Sequence, residues 1–377
     1  MRSIVLQTSL YCAMVPGLLY AQPSVTTTEP PFVEIGGSMQ DPGDQLFAVS
    51  TARFLSDGRI IVAETHDARV RLYDARGRHV ADIGGRGPGP GELTGSLQAL
   101  TVGDGDTLLM LDESGARLRF LASGHLVDDT PLRLADDPDA RFNIVPWGVL
   151  RDGRVLLKGN ERLFGANDGR HVQHFQVLVY SSGGEGIDTA GTFAAQEVVV
   201  ERGIPWPTAP VTPLSWAPAI DDGVWLASPS TGVVRLITAD GREKLAVESR
   251  HRRVAVSDTD IHEMVSEVVL RGATANDRRV IREWATALPR ADRAPAFRGL
   301  FTDRSDRLWI ERWVRSADGA PQWDVHDASG RRILTVTGPP NLRITDARAD
   351  LVIGVTRDSD DRELVRVHRL APAARPN

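Results

Sequence analysis

The chain has 377 residues and a formal net charge of −6, from 44 basic and 50 acidic side chains. A chain of this length can bury a large core, and closed all-β folds of this size form single domains. Because the charge is acidic and the basic residues are dispersed, nucleic acid and anionic membrane surfaces are excluded as expected partners.

The first 21 residues predict a secretory signal peptide. Arg2 gives a weak positive start, residues 10–19 are mostly apolar, and Ala21 offers a small-residue cleavage site. A disordered, mildly apolar N-terminus is the alternative. The only cysteine, Cys12, falls in this segment, so the mature chain 22–377 would have no disulfide. No later apolar run is long enough to span a bilayer, and we expect an exported monomer, periplasmic or secreted.

A four-strand pattern follows, with a glycine- and proline-rich connector behind it. The runs are Ala48–Leu55, Arg59–Ala63, Val70–Asp74 and His79–Ile83, and the connector is Gly84–Gly91. Four short strands with tight turns are typical of one propeller blade. A phosphate-binding loop is disfavoured at the connector, because no Gly-Lys-Ser/Thr follows and its prolines lack N–H donors.

The same turn-and-strand pattern recurs along the chain. Polar turns precede apolar second strands that begin at Ile60, Leu108, Val155, Val224, Leu308 and Leu351, at intervals of 48, 47, 69, 84 and 43 residues. Three intervals match one blade of about 40–50 residues, and the two long ones fit a blade plus an insertion. The last repeat supplies three strands, and residues 32–37 match a fourth. The sequence therefore predicts an all-β fold, a six-bladed β-propeller closed by an N-terminal strand; a β-sandwich does not explain this spacing.

The first blade resembles the repeat of NHL-type six-bladed β-propellers in Ile61–Glu64, Arg69–Asp74 and Gly84–Glu92. The resemblance covers nearly the whole mature chain and implies a fold rather than one function, because propellers host hydrolases, lyases and pure binding proteins. Some six-bladed relatives are metal-dependent lactonases or esterases whose calcium-like ion is held in the channel by Glu, Asn and Asp.

A two-helix insertion is predicted at about 256–296, between blades four and five. Ser257 and Asp260 form a capping-box-like start, apolar residues recur at helical spacing from Ile261, and Gly272 ends the first helix. Asn276 is predicted to cap the second helix.

The apolar face of the second helix is predicted to contain Val280, Ile281, Trp284 and Leu288. Two such helices must bury their apolar faces on each other and on the sheets. They are expected to form a lid or partner-docking platform, or alternatively a fixed structural cap.

The long connections are predicted to gather at one end of the blades. Segments 84–96, 160–172, 203–213, 256–296 and 311–322 either join two blades or join strands two and three, and antiparallel pairing brings both kinds to the same end. Loops carry binding more often than their scaffold does. The alternative is that insertions accumulate where they are tolerated.

Aromatic side chains near that end are candidate ligand contacts. Trp147, Trp206, Trp216 and Trp313 are expected nearest to it, whereas Trp225 and Trp309 are expected in the core. Tryptophan suits sugar, peptide or aromatic recognition. Arg298, at the entry to blade five, is expected to attract an anion or to form an ordinary salt bridge. The predicted ligand-binding residues are Trp206, Trp313 and Arg298.

A metal site is the competing prediction, and it comes from the lactonase resemblance. Glu64, Asp112 and Asn160 stand at the ends of second strands in adjacent blades, and three donors fall short of the six to eight that calcium takes. No Gly-x-Ser-x-Gly elbow is present. The first hypothesis is therefore an exported, non-catalytic module without a cofactor, which binds a peptide, glycan or protein. The alternative is a calcium-dependent lactonase or esterase.

Overall fold

The computed structural model describes residues 24–37, 45–132, 141–180, 187–211, 214–219, 223–238, 240–248, 251, 253–269, 275–314 and 319–372. The predicted signal peptide lies outside these residues, as does Gly272.

The described chain consists mostly of short strands that form sheets in chain order. Two strands come first, β1 (Ser24–Thr27) and β2 (Val33–Gly36). The next two groups are β3 (Val49–Phe54), β4 (Ile60–Glu64), β5 (Arg69–Tyr73) and β6 (His79–Gly84), then β7 (Leu97–Val102), β8 (Leu108–Asp112), β9 (Ala116–Phe120) and β10 (Leu126–Pro131).

The third group has five strands and the fourth has four. They are β11 (Phe142–Val149), β12 (Val155–Glu161), β13 (Gly169–Tyr180), β14 (Ile187–Glu201) and β15 (Ile204–Pro207), then β16 (Ser215–Pro218), β17 (Val224–Ser228), β18 (Val233–Ile237) and β19 (Glu243–Glu248).

Two helices then precede the last strands. The helices are α1 (Asp258–Val269) and α2 (Ala275–Ala287). The strands behind them are β20 (Phe297–Thr302), β21 (Leu308–Arg312), β22 (Gln322–His326), β23 (Arg332–Thr337), β24 (Arg343–Arg348), β25 (Leu351–Arg357) and β26 (Glu363–Pro372).

Within each group, consecutive strands pair antiparallel in chain order. The N-terminal strands complete the far end of the chain: β2 pairs antiparallel with β26, which confirms the predicted pairing of that segment. The sequence did not indicate β1, which lies between β23 and β26 and joins the last two groups into one nine-stranded sheet.

Apolar clusters lie between neighbouring groups and close the arrangement on itself. One cluster joins the first group to the second through residues such as Ile61 and Leu118. Another joins the first group to the last through residues such as Val62 and Ile353. Because the second strands are buried on both faces, they read as continuous apolar runs. The fold is therefore mostly β, with curled sheets in a propeller-like arrangement.

The two ends of the sheets differ. The turns between first and second strands, and between third and fourth strands, lie at one end, which we call the turn end. The other connections, including the helices, lie at the opposite end, which we call the insert-bearing end. This follows from the antiparallel order of the strands in each group.

The Gly/Pro-rich connector folds around an acidic side chain. The Glu92 carboxylate accepts a hydrogen bond from the Gly89 N–H at 2.9 Å. A Cβ on Gly87 would lie 2.1 Å from the same carboxylate, so a larger residue there would displace the Glu92 side chain. Leu93, directly behind, is fully buried. The glycine-rich composition of the connector therefore fits a tight turn that closes on Glu92 and is anchored by the buried Leu93.

Helix α1 begins as predicted. The Ser257 hydroxyl accepts a hydrogen bond from the Asp260 N–H, and the Asp260 carboxylate accepts one from the Ser257 N–H at 2.7 Å. This reciprocal pair satisfies N–H groups that the first turn leaves free.

Helix α2 differs from its prediction. It already begins at Ala275, so Asn276 lies within its first turn rather than capping it. Of the predicted apolar face, Leu288 is buried and Ile281 is half-buried, whereas Val280 and Trp284 are exposed. Ala285 and Leu288 contact Met264 of α1 and Ala209, so the predicted face is confirmed in part and the buried stripe contains Ala285 instead of Trp284.

The segment behind α2 is bonded to the sheets. The Ala209 N–H donates to the Pro289 carbonyl at 2.7 Å, and the Ala291 N–H donates to the Ala209 carbonyl at 2.9 Å. The Arg253 side chain donates to the carbonyls of Ser230 and Ala294. Hydrogen bonds therefore hold the insertion on both sides, through the backbone of Ala209 behind α2 and through the Arg253 side chain before α1.

Candidate functional site

The structure brings two of the three predicted ligand-binding residues together. Arg298 at the start of β20 and Trp313 just after β21 line a cleft of about 240 Å³ at the insert-bearing end. Helix α1 forms the opposite wall. The remaining lining residues are Val254, Ala255, Ser257, Asp260, Glu263 and Val314. We call this the helix cleft.

The Arg298 guanidinium is held by one aromatic and one acidic neighbour. Its Cζ lies 4.3 Å from the centre of the Trp313 ring, within the range of a cation–π interaction. An Nη2–H donates to the Glu263 carboxylate at 2.7 Å. The ordinary salt bridge, which was the alternative for this residue, is therefore present, and it joins β20 to α1.

The Trp313 indole is fixed from its other side. Its Nε1–H donates to the Asp260 carboxylate at 2.9 Å. The same carboxylate caps α1, so one acidic side chain orders both the helix start and the indole. Only 6% of Trp313 is exposed. A ligand in the helix cleft would therefore contact the Arg298 guanidinium and the rim rather than an open indole face.

The rim of the helix cleft is apolar and exposed. Val254 and Val314 are 43% and 49% exposed. A charged floor within an exposed apolar rim resembles the anchor pockets of protein interfaces, where an arginine or aromatic group is surrounded by contacts that exclude water.

Trp206 lies elsewhere. It stands on β15, opposite Val199 of β14, and is 37% exposed. It does not line the helix cleft. Trp147 and Trp216 do not line the helix cleft either: they pack edge to face in an apolar cluster with their ring centres 6.3 Å apart. Trp309, expected in the core, is fully buried.

Exposed apolar side chains concentrate at the insert-bearing end. Within the described part of the chain, thirteen large apolar residues are exposed. Four lie elsewhere: Phe32, Val80, Leu121 and Val127. The nine at the insert-bearing end are Phe47, Phe164, Val172, Ile204, Trp206, Val254, Val280, Trp284 and Val314.

Two of the three predicted metal ligands have structural partners. Both oxygens of the buried Glu64 carboxylate are used: Oε1 accepts from the Phe47 N–H, and Oε2 accepts from Arg69 and Arg71 at 2.7 and 2.8 Å. Both oxygens of the buried Asp112 carboxylate accept backbone N–H groups, from Gly95 and Ser114 among others. Asn160 is half-buried in β12.

These residues do not fit a calcium ion as they stand, because a metal would have to displace hydrogen bonds that order two strand ends. No three His, Cys, Asp or Glu side chains meet in a possible metal-holding group anywhere in the described ranges. The metal site stays a prediction.

Sequence reasoning missed the acidic side of the helix cleft. Asp260 was predicted only as part of a helix cap. Its contact with Trp313 and the contact of Glu263 with Arg298 join residues 53 and 35 positions apart. No spacing rule connects such positions. The described helices also include none with the length and apolar character that a membrane crossing needs.

No protein-family model matches the chain, and no curated protein matches it in sequence. Solved structures do match. A member of the DUF4221 family from Bacteroides vulgatus is 7% identical, with a TM-score of 0.51 over 94% of this chain and 100% of that one.

Two further matches are weaker. Regucalcin, a calcium-binding protein from Agrobacterium tumefaciens, is 12% identical, with a TM-score of 0.41 over 89% of this chain and 94% of that one. Virginiamycin B lyase from Staphylococcus aureus is 10% identical, with a TM-score of 0.39 over 91% and 88%. The neighbours are propeller-type proteins, and likeness at these identities concerns the fold alone.

Proposed function

We propose that this chain is an exported, non-catalytic binding protein that recognises a protein or peptide partner through its insert-bearing end. In this proposal the scaffold is a monomeric six-bladed β-propeller of the NHL-repeat-like type, closed by β2, with α1 and α2 inserted between blades four and five. Six apolar clusters, each between two neighbouring strand groups, support the blade number. The pattern of residues 1–21 supports export to the periplasm or the medium.

The observation that carries the proposal is the concentration of exposed apolar side chains at one end. Phe164 is 77% exposed, and Val280 and Trp284 are 48% and 41% exposed one helical turn apart on α2. Scattered exposed apolar residues are ordinary, but their accumulation on one surface marks interaction sites. The turn end carries four exposed apolar residues among those described, against nine at the insert-bearing end, and they are spread over three strand groups.

The chemistry of these side chains favours a protein or peptide over a glycan. Valine, isoleucine and phenylalanine offer no hydrogen bonds to sugar hydroxyls, whereas apolar and aromatic groups with an arginine are typical of the centre of protein interfaces. The lactonase or esterase alternative gains no support, because the Glu64 and Asp112 carboxylates already serve the strand ends.

Matched surface variants test the proposal. Val280→Ser with Trp284→Ser removes exposed apolar groups from α2, and Val80→Ser with Val127→Ser does the same away from the insert-bearing end. All four side chains are exposed, so both double variants should fold. Tagged wild-type protein, mixed with the exported fraction of its own cells, is expected to retain a discrete partner. The control variant should retain it equally and the α2 variant should lose it. Equal capture by all three would refute the proposal.

A further inference from the structure

A second cavity lies at the turn end, opposite the helix cleft. It encloses about 320 Å³, at the lower end of the range for small-molecule sites (about 300–1,000 Å³). The first strands of several groups and the turns behind them form its walls, so it lies where the groups meet. Its charged lining residues are Arg53, Asp104, Asp106, Arg151, Asp303, Arg304, Asp306 and Asp346. We call it the channel cavity.

Most charges around the channel cavity are paired, and two of the pairs join strand groups that are not adjacent. Arg304 binds Asp106 at 2.6 Å, and Arg151 binds Asp306 at 2.5 Å. Asp303 accepts hydrogen bonds from Arg307 and from the Trp309 indole. Asp104 is exposed at the mouth.

Arg53 is different, because its guanidinium makes no hydrogen bond to any group in the described ranges. Its Nε is fully enclosed and has no partner. Burial, followed by the charges of Arg151 and Arg304, lowers the pKa of Arg53 against the opposing effect of Asp346. The Asp346 carboxylate instead accepts hydrogen bonds from the backbone N–H groups of Phe54 and Ala347.

Arg53 is half-buried, and its Nε is the atom enclosed without a partner. A ligand on the cavity side of the guanidinium would supply acceptors that no described group provides. The planar fork of arginine matches a carboxylate with two parallel N–H···O bonds. The pairs Arg304–Asp106, Arg151–Asp306 and Arg307–Asp303 are balanced, which leaves Arg53 and Asp346 inside the cavity and Asp104 at its mouth. When Asp346 is protonated, Arg53 carries the one unbalanced positive charge inside the cavity. A monoanion therefore fits better than a dianion such as sulfate, which the nearby aspartates would repel.

We propose that the channel cavity is a second binding site, which holds a small monocarboxylate on the guanidinium of Arg53. The site is independent of the partner surface on α2, which lies at the opposite end of the sheets.

The neighbouring Asp346 makes this binding depend on pH. Burial raises the pKa of Asp346 to about 6, against the opposing charge of Arg53. The charged groups that surround this carboxyl are Arg53, Asp106, Arg151, Asp303, Arg304 and Asp306. Protonation of Asp346 removes the negative charge nearest to the ligand. Binding should therefore weaken by up to about tenfold between pH 5 and pH 7, as this group ionises.

Thermal melts and calorimetric titration of the purified protein test the site with acetate, pyruvate and benzoate, against sulfate and chloride at equal ionic strength. At least one carboxylate is expected to raise the melting temperature saturably at pH 5.5, as a ligand of the folded state must. Sulfate, which is a dianion at this pH, and chloride should give no saturable rise. No response to any carboxylate, or a saturable response to sulfate alone, would overturn the proposal, and equal affinity at pH 5 and pH 7 would refute the position beside Asp346.

Substitutions at Arg53 locate the ligand. Arg53→Gln is expected to weaken carboxylate binding at least tenfold. The comparison is made at pH 5.5, where Asp346 is mostly protonated, so that loss of the Arg53 charge does not leave an unbalanced carboxylate. Arg53→Lys keeps the positive charge without the paired guanidinium donors, and it should also weaken carboxylate binding. Arg78→Gln, at an exposed arginine of the same strand group, should bind as wild type does. If Arg53→Gln binds the carboxylate as well as wild type does, the proposed position of the ligand at Arg53 is refuted. The Val280→Ser/Trp284→Ser variant should keep carboxylate binding, which separates this inference from the partner surface.

Discussion

Asp324 on β22 is the centre of a buried ion network beside the insertion. Its Oδ1 accepts from Arg312 at 2.7 Å and from Arg332 at 3.1 Å, and its Oδ2 accepts from Arg312 at 3.1 Å. His251, in the segment that leads to α1, lies 3.0 Å from Oδ2. Burial alone would raise the pKa of Asp324, but the hydrogen bonds from His251 and Arg312 and the arginine charges outweigh it and hold the pKa well below its usual range.

Asp324→Asn is expected to lower the free energy of unfolding by about 3 kcal/mol at pH 7. Removing one partner of a buried ion pair costs about 3–5 kcal/mol. The lower end applies because Arg332 and His251 are 29% and 36% exposed, so water can solvate them. Asp327→Asn, in the turn behind β22, is the control. Its carboxylate is more exposed, and its substitution should cost less than about 1 kcal/mol.

Urea denaturation at several pH values measures both variants. A carboxyl group whose pKa is depressed in the folded state stabilises the protein above the unfolded pKa of about 3.9, and this stabilisation is lost as pH falls through the folded pKa. The difference between wild type and Asp324→Asn should therefore persist down to about pH 4 and shrink below it. A cost under 1 kcal/mol at pH 7, or a difference that does not change in acid, would refute the network as described.

Three further substitutions probe other parts of the structure. Gly148→Ala is expected to cost about 2 kcal/mol in urea denaturation, because an added Cβ would lie 2.0 Å from the Trp216 ring, whereas Gly299→Ala meets nothing within 4 Å and should be nearly neutral. Glu64→Gln should cost about 3 kcal/mol equally in EDTA and in calcium; a calcium-dependent melting rise in wild type, lost in this variant, would instead support the metal site. Arg298→Ala should raise amide hydrogen exchange of α1 at least tenfold, because it removes the salt bridge to Glu263. Unchanged exchange would contradict a stabilising role for this salt bridge.

Local patterns predicted the strands, and their physical basis is visible in the structure. β4 and β8 are buried on both faces, so their apolar runs stand out between polar turns. The start of α1 was equally readable, because Ser257 and Asp260 interact within a single turn. The stripe on α2 was predicted only in part: Leu288 is buried as expected, but Ala285 packs with Ala209 and Met264 where Trp284 was expected.

The helix cleft and the channel cavity could be predicted from the sequence much less well than the strands. Arg298 and Trp313 were found as single candidates, but their acidic partners come from α1 and are positioned only by the folded chain. Nothing in the sequence set Arg53 apart from the other arginines. Its significance depends on the absence of an acceptor around an enclosed Nε, which only packing across neighbouring strand groups creates.

Site-specific photo-crosslinking in the cells that produce the protein tests the partner surface most directly. A photoreactive amino acid is placed at Trp284 or Val314 on the insert-bearing end, and at Val80 or Val127 away from it, all of which are exposed. The proposed function predicts one discrete crosslinked protein from the first two positions and none from the other two. Crosslinks of equal strength from all four positions, or from Val80 and Val127 alone, would contradict it.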